Sequence, residues 1–454
     1  MVSGKFKKTA TSVLLMGAMV MGLVVPAAAA PVVEDKLTGS GKDVKNVIVL
    51  ISDGWGYNQI LATDYYNDGK AGTQRYEKFP TKLAMSTYSV GSYDPDVIWS
   101  SFDAVKSDAT DSAAAGTAMS TGSKTYDAAI GVDLDEQDLV HIATDFEALG
   151  RATGVVSSVQ FSHATPASFV AHNVSRNNYS ALANEMLMDS ATDVIIGAGH
   201  PYYDNDGNFN SNPNFRYVGG EATWKALLNG TLKVADADGD GTPDPWALIQ
   251  LKTDFEAMQT GETPNRLVGI PQVYTTLQQS RSGDGQAAVF EVDFNENVPT
   301  LEVMTNVALN VLDNDDDGFF LMVEGGAIDW AGHANQSGRL IEEQTDFNNA
   351  VNAVCDWVQT NSSWSETLVI VTGDHETGYL TGTEGVYDEV VNQGAGVMPI
   401  MTWNSGSHTN QLIPFFAKGA GSELFKKLAD QQDPVRGAYL DNTELFVAIR
   451  SLIQ

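Results

Sequence analysis

Short runs of nearly continuous Val, Ile, Leu and Phe recur along the chain, at Asn46–Ser52, Gly154–Val159, Asp193–Ile196, Phe319–Val323, Thr367–Thr372 and Leu412–Ala417. Apolar runs of this length with little polar alternation predict strands covered on both faces. Helical spacing of apolar positions lies between them, at about Ser112–Ser120, Leu139–Leu149, Tyr179–Asp189 and Ile341–Val358. Strand and helix therefore alternate. The pattern predicts an α/β fold, a three-layer sandwich with a central, mostly parallel sheet flanked by helices. Two stretches break the alternation. Residues from about 200 to 300 are rich in Gly, Asn, Asp and Pro, and residues 379 to 406 form a shorter interruption. Both read as surface insertions in a single domain spanning residues 31–454.

The N-terminus follows a different pattern. Lys5, Lys7 and Lys8 precede an apolar run from Val13 to Val25, and Ala27 to Ala30 supply small residues. This is the layout of a secretory leader over residues 1–30, and the run is short for a membrane span. The expectation is an exported protein, periplasmic or secreted. The chain holds 26 basic and 58 acidic residues, a net charge of −32, and losing the three leader lysines makes it −35. Such a balance disfavours nucleic-acid and anionic-membrane partners. Cys355 is the only cysteine. No intrachain disulfide is available, so stability outside the cell must come from core, metals or partner subunits. Cys355 itself falls in an amphipathic stretch and reads as a core residue.

Chemistry gathers where strands end, which is where open α/β sheets place their ligands. Asp53 directly follows the first strand, Glu324 follows Phe319–Val323, and Asp374-His375 follow Thr367–Thr372. Three independent strands thus deliver metal-type side chains at one end. In EGGAIDWAGH, Asp329 and His333 lie four apart and can share one helix face and one metal. Asp53, followed by glycines in SDGWG, can use both oxygens and so bridge two ions. In SDATDSAAAGTA, Ser112 opens an Ala-rich helix. A serine there is ordinarily a helix cap. The alternative is a nucleophile in the field of a helix N-terminus, with a metal in place of a base. Further on, FSHATPASFVAHNVSR offers His163, the Thr165 hydroxyl and Arg176, whose planar fork suits phosphate; His172 reads as structural. His408 sits in the small-residue loop NSGSHTN.

Taken in order, DG, DSAAAGTA, HATPA with a following Arg, EGGAID…H, DHETG and a late SHT resemble the alkaline phosphatase family from Asp53 to His408. That resemblance implies hydrolysis of small phosphate monoesters through a phosphoserine at Ser112, with two zinc ions and one magnesium ion. Asp329, His333 and His408 would hold one zinc, and Asp53, Asp374 and His375 the other. Asp53 would bridge to magnesium, completed by Thr165 and Glu324. Arg176 would clamp phosphate, oriented by Asp111. Relatives are commonly homodimers, and a homodimer is one state open to this chain.

The chain departs from the enterobacterial pattern at two places. Those enzymes carry Asp and Lys where this chain has His163 and Trp330; some marine relatives share the His and Trp. The expectation is looser magnesium binding and weaker phosphate binding. Separately, Asp236, Asp238 and Asp240, with Gly241 and Asp244, resemble a calcium loop, although Ala247 stands where a bidentate Glu is expected. A structural calcium ion and a solvated turn are both open there. Competing readings are another member of the same superfamily, such as a sulfatase, a phosphodiesterase or a cofactor-independent phosphoglycerate mutase, and a non-catalytic phosphate or metal scavenger.

Overall fold

The computed structural model describes residues 44–238 and 240–453; the leader-like residues 1–30 lie outside them. Eleven strands form one sheet. In chain order they are β1 (Asn46–Ser52), β2 (Thr81–Ser86), β3 (Ala152–Gln160), β4 (Val194–Ala198), β5 (Ala247–Ile249), β6 (Leu267–Gly269), β7 (Phe319–Gly325), β8 (Thr367–Gly373), β9 (Ile413–Gly419), β10 (Gln431–Asp433) and β11 (Gly437–Asp441). Their spatial order is β10-β11-β2-β9-β8-β1-β7-β3-β4-β6-β5. The sheet is mostly parallel, as expected; β9 runs antiparallel to β8 and β2, and β10 antiparallel to β11.

The central strands β1, β7 and β8 are buried along their whole length. Their alternate side chains feed two separate cores: Val47, Val49 and Ile51 on one face, Ile48 and Leu50 on the other. This two-sided burial is the physical reason for the continuous apolar runs. Helices cover both faces. Those used below are α1 (Tyr57–Asp68), α2 (Ser112–Thr121), α3 (Ile142–Ala148), α4 (Leu301–Leu312), α5 (Ala327–His333), α6 (Ser337–Asn361) and α7 (Thr443–Ile453). Cys355 is fully buried in α6, within the second core.

Two expectations change in detail. Leu139–Leu149 shortens to α3, and Tyr179–Asp189 divides into an α-helix, Tyr179–Asn184, and one wide π-turn, Glu185–Asp189. Residues 200–300 are not wholly outside the sheet, because β5 and β6 extend its edge beside β4. Among the described residues no helix is long and apolar enough to cross a membrane.

Candidate metal and phosphate site

The registers of the parallel strands bring their carboxyl ends level. Ile51 pairs with Glu324 and Ser52 with Gly373, so Asp53, Glu324 and Asp374-His375 emerge side by side. The Asp53 amide donates to the Gly325 carbonyl at 3.1 Å, fixing the turn out of β1. Gly54 sits in this turn with φ +77°, and a Cβ there would meet the Asp329 Cα at 2.6 Å. Glycine is what lets the β1 end and α5 touch.

On the other side, α2 aims its N-terminus at the same place. Asp111 caps it by accepting the Ala114 amide at 3.0 Å. Its other oxygen accepts from Arg176 Nη1 at 2.9 Å. One carboxylate therefore sets both the helix start and the guanidinium. Ser112, the first helical residue, places Oγ 3.2 Å from His375 Nε2. The helix packs close because Gly116 leaves room: a Cβ there would clash with Ser168 Oγ at 2.2 Å.

Three groups of potential ligands surround Ser112, each with its ligand atoms within 4.8 Å of one another: Asp329, His333 and His408; Asp53, Asp374 and His375; Asp53, His163 and Glu324. Asp53 belongs to two of them, as a bridging residue must. In the first group His333 Nδ1 lies 2.7 Å from the Gly406 carbonyl and His408 Nδ1 2.8 Å from that of Thr110. A carbonyl only accepts, so each ring keeps a proton on Nδ1 and turns Nε2 inward. The two Nε2 atoms lie 3.0 Å apart. Each is 3.4 Å from Asp329 Oδ1. Two nitrogen donors and one oxygen donor this close could hold a cation.

In the second group the Asp374 Oδ1 accepts the amides of Gly54 and His375, at 3.1 and 2.9 Å, which leaves Oδ2 free. Asp53 Oδ1 and Oδ2, Asp374 Oδ2 and Glu324 Oε1 are all buried without a hydrogen-bond partner. His163 Nδ1 is in the same state. Buried, unpaired carboxylate oxygens in such density are costly unless cations join them. Glu324 Oε2 is held by the Ser157 hydroxyl, and the Thr165 hydroxyl is buried without a hydrogen-bond partner.

The proton affinities tell the same story. Burial, then repulsion from Asp374, Asp329 and Glu324, drives the Asp53 carboxyl well up. Burial raises Glu324 to about 7, and burial plus the Asp329 charge raises Asp374 to about 6. Burial lowers His408, but its hydrogen bond to Asp329 outweighs this and raises it to about 9. Burial likewise opposes ionisation of Asp329, yet His408 holds its carboxyl below the usual range. His163, buried beside Arg176, falls to about 3 and stays neutral.

A cavity of about 600 Å³ opens over this cluster, lined by Ser112, Arg176, His163, Trp330, His333 and His408. Trp330 lines the same cavity, its ring 5.9 Å from that of His163. Gln279 and Ser280 complete the wall. Neither is marked by any motif, since both are polar residues in a stretch without periodicity. Thr377 is a further unforeseen participant: its hydroxyl donates to Asp329 Oδ1 at 2.5 Å and lies 3.3 Å from His375 Nδ1. His172 makes only structural contacts, 2.8 Å from Glu185 and 2.8 Å from the Leu139 carbonyl.

The acidic loop is a different case. Asp236, Asp238 and Asp244 come within 4.8 Å of one another, but Asp240 is not of the group. The loop's own amides occupy these oxygens: Asp236 accepts from Asp240 and Gly241, and Asp244 from Ala237 and Asp238. Among the described residues, none of its carboxylate oxygens is buried and unpartnered as those around Ser112 are.

Comparisons with known proteins agree with the geometry. The family description "Alkaline phosphatase" matches residues 44–401. The chain is 32% identical to alkaline phosphatase 3 of Bacillus subtilis (strain 168), over 78% of this chain and 66% of that one. It is 29% identical to the alkaline phosphatase of Escherichia coli (strain K12), over 87% and 85%. Among solved structures, the alkaline phosphatase of the Antarctic bacterium TAB5 superposes with a TM-score of 0.62 at 29% identity, covering 91% of this chain and 98% of that one. With the ligand clusters, the sheet and these matches in agreement, the chain belongs to the alkaline phosphatase family of hydrolases acting on phosphate monoesters.

Proposed function

We propose that this chain hydrolyses small phosphate monoesters through a phosphoserine at Ser112, with two zinc ions and one magnesium ion. The observation that carries the proposal is the position of Ser112 Oγ, at a helix N-terminus and 3.2 Å from His375 Nε2, in a cavity shared with Arg176. Asp329, His333 and His408 would hold one zinc; Asp53, Asp374 and His375 the second; Asp53, Thr165 and Glu324 the magnesium, with His163 beside it. His and Asp donors suit zinc and an all-oxygen set suits magnesium. When bound, the ions supply positive charge that stabilises the seryl and leaving-group oxygens.

The chain's own groups do the rest. Arg176, steadied by Asp111, grips two phosphoryl oxygens, and the amides of the first turn of α2 face the same anion. Ser112 Oγ forms a bond to phosphorus as the ester P–O bond breaks and the alcohol leaves. Water then cleaves the phosphoserine, restoring the Ser112 hydroxyl and releasing phosphate. The overall acidity of the protein would repel a phosphate dianion, so this local positive charge is required.

His163 offers no carboxylate to a hydrated magnesium ion, so its grip on that ion is proposed to be loose. In the TAB5 enzyme, structures of His-to-Asp and His-to-Glu variants have Mg bound in the M3 site. The leader-like N-terminus supports export to the periplasm or medium. The test of the function is turnover of mono- against bis-nitrophenyl phosphate by zinc- and magnesium-loaded protein. The monoester should be strongly preferred, with activity lost on chelation. A preference for the diester would overturn the reading.

A further inference from the structure

The cavity over Ser112 is larger than a phosphoryl group requires. Its volume of about 600 Å³ falls in the range that encloses a whole small molecule. Ser112, His163, Arg176, Asp329, His333 and His408 belong to the phosphate and metal groups described above. The rest of the lining, Trp330, Ala334, Gln279 and Ser280, is left to meet the alcohol portion of a bound ester. None of these four side chains is charged, which favours a neutral alcohol over an ionic one.

Gln279 and Ser280 lie between β6 and α4, in a stretch with no helix or strand of its own. The stretch is nonetheless fixed, because two buried guanidiniums frame it. Arg339, on α6, donates to the carbonyls of Gln279, Arg281 and Ser282. Arg281 donates to those of Gln278, Val292 and Asp293, and to the Glu342 carboxylate. The two arginines are 4% and 5% exposed, and such groups stay buried only while these bonds are made. The Ser280 amide adds a bond to Thr276 Oγ1 at 2.8 Å.

The side chains form a relay with a definite direction. Ser280 Oγ donates to Gln279 Oε1 at 2.7 Å, and Gln279 Nε2 donates to Gln336 Oε1 at 2.9 Å. Gln336 can take its place because Gly285 has no side chain: a Cβ there would run into Gln336 Nε2. The relay spends the Ser280 proton and one Gln279 amide proton. It leaves the lone pairs of Ser280 Oγ to accept and the second Gln279 Nε2 proton to donate. Ser280 is half-buried, so it meets the cavity it lines. A donor beside an acceptor matches a hydroxyl, which does both, and Trp330 supplies apolar ring surface in the same cavity.

We propose, resting on the phosphomonoester chemistry above, that Gln279 and Ser280 hydrogen-bond a ring hydroxyl of the substrate's alcohol portion, so that sugar phosphates are the preferred class. A hydroxyl-free alcohol of the same shape leaves this donor and acceptor unpaired when it displaces their water.

The test compares kcat/KM of the metal-loaded protein for glucose 6-phosphate and for tetrahydropyran-2-ylmethyl phosphate, the same ring and ester without hydroxyls. The quantity read is the ratio of the two, followed from parent to variant, so that the intrinsic reactivities of the esters cancel. Ser280→Ala removes the acceptor and Gln279→Met the donor at nearly constant volume. Each should lower the ratio by about fivefold. Ser280→Thr, which keeps a hydroxyl, should hold it within about twofold of the parent. Should one of the first two variants fail to fold, the other decides. A ratio unchanged in them, or both esters losing rate alike, overturns the proposal and leaves the phosphatase reading standing. Turnover of neither ester by the parent protein overturns both.

Discussion

Ser112 could cap its helix or present a reactive hydroxyl, and its neighbours decide between the two. As the first residue of α2 it follows the true cap, Asp111, whose carboxylate satisfies the Ala114 amide. Freed from capping, Ser112 presents its hydroxyl to His375. Ser112→Ala should lower turnover on the order of a thousandfold or more while leaving the melting temperature nearly unchanged. Asp111 separates into two functions. Asp111→Asn keeps the cap but loses the ion pair with Arg176, so KM for the phosphate ester should rise with little change in stability. Asp111→Ala should additionally destabilise by about 1 kcal/mol. Steady-state kinetics together with thermal melts distinguish the two. At the proposed magnesium site, His163→Asp should shift half-activation to lower magnesium concentration; an unchanged magnesium titration removes the role assigned to His163.

The elements that place these residues differ in how visible they were. Gly54 illustrates the mechanical side. Gly54→Ala meets both a positive φ and the 2.6 Å approach to Asp329. A loss of about 2 kcal/mol or more is expected, together with weaker zinc retention, because Asp329 sits on the displaced helix. Chemical denaturation with and without zinc would measure it. The strands carrying Asp53, Glu324 and Asp374 were legible because they are buried on both faces, which forces continuous apolar sequence. Edge and near-edge strands were not. In β2, TKLAMS, an exposed lysine follows the buried Thr81, and β11, GAYLD, buries only its Tyr439 and Leu440 side chains. Strand direction was also beyond reach: Leu412–Ala417 reads as apolar whichever way it runs, and β9 proves antiparallel. The helix α4 has strong amphipathic spacing but borders a stretch dominated by Gly, Asn and Asp. Ligands next to strand ends could be named from sequence, whereas Thr377 and Gln279 could not, because only tertiary folding brings them to the site.

At the scale of the molecule, the fold concentrates four acidic side chains, Asp53, Glu324, Asp329 and Asp374, in one water-poor place. Metal-free protein should be the less stable form, and its stability should depend on pH in a definite sense. Glu324 rises from 4.5 to about 7 and Asp374 from 3.8 to about 6. Native protein therefore binds protons that unfolded chain has released. That contribution is complete below about pH 4 and is lost as pH rises through about 6 to 7. Melting temperatures of chelator-treated protein should fall across this window relative to metal-loaded protein, which should show no such decline. An equal slope for both forms would mean that the cluster is not what the ions neutralise.

In the proposed chemistry Ser112 Oγ is the atom that takes the phosphoryl group. The most direct measurement is acid quenching of metal-loaded protein during exposure to phosphate or substrate, followed by mass spectrometry of its peptides. The account predicts a phosphate on Ser112, absent from that position in Ser112→Ala and from protein stripped of metal. Undiminished turnover with no phosphoserine at Ser112, or phosphate carried on another residue, would contradict it.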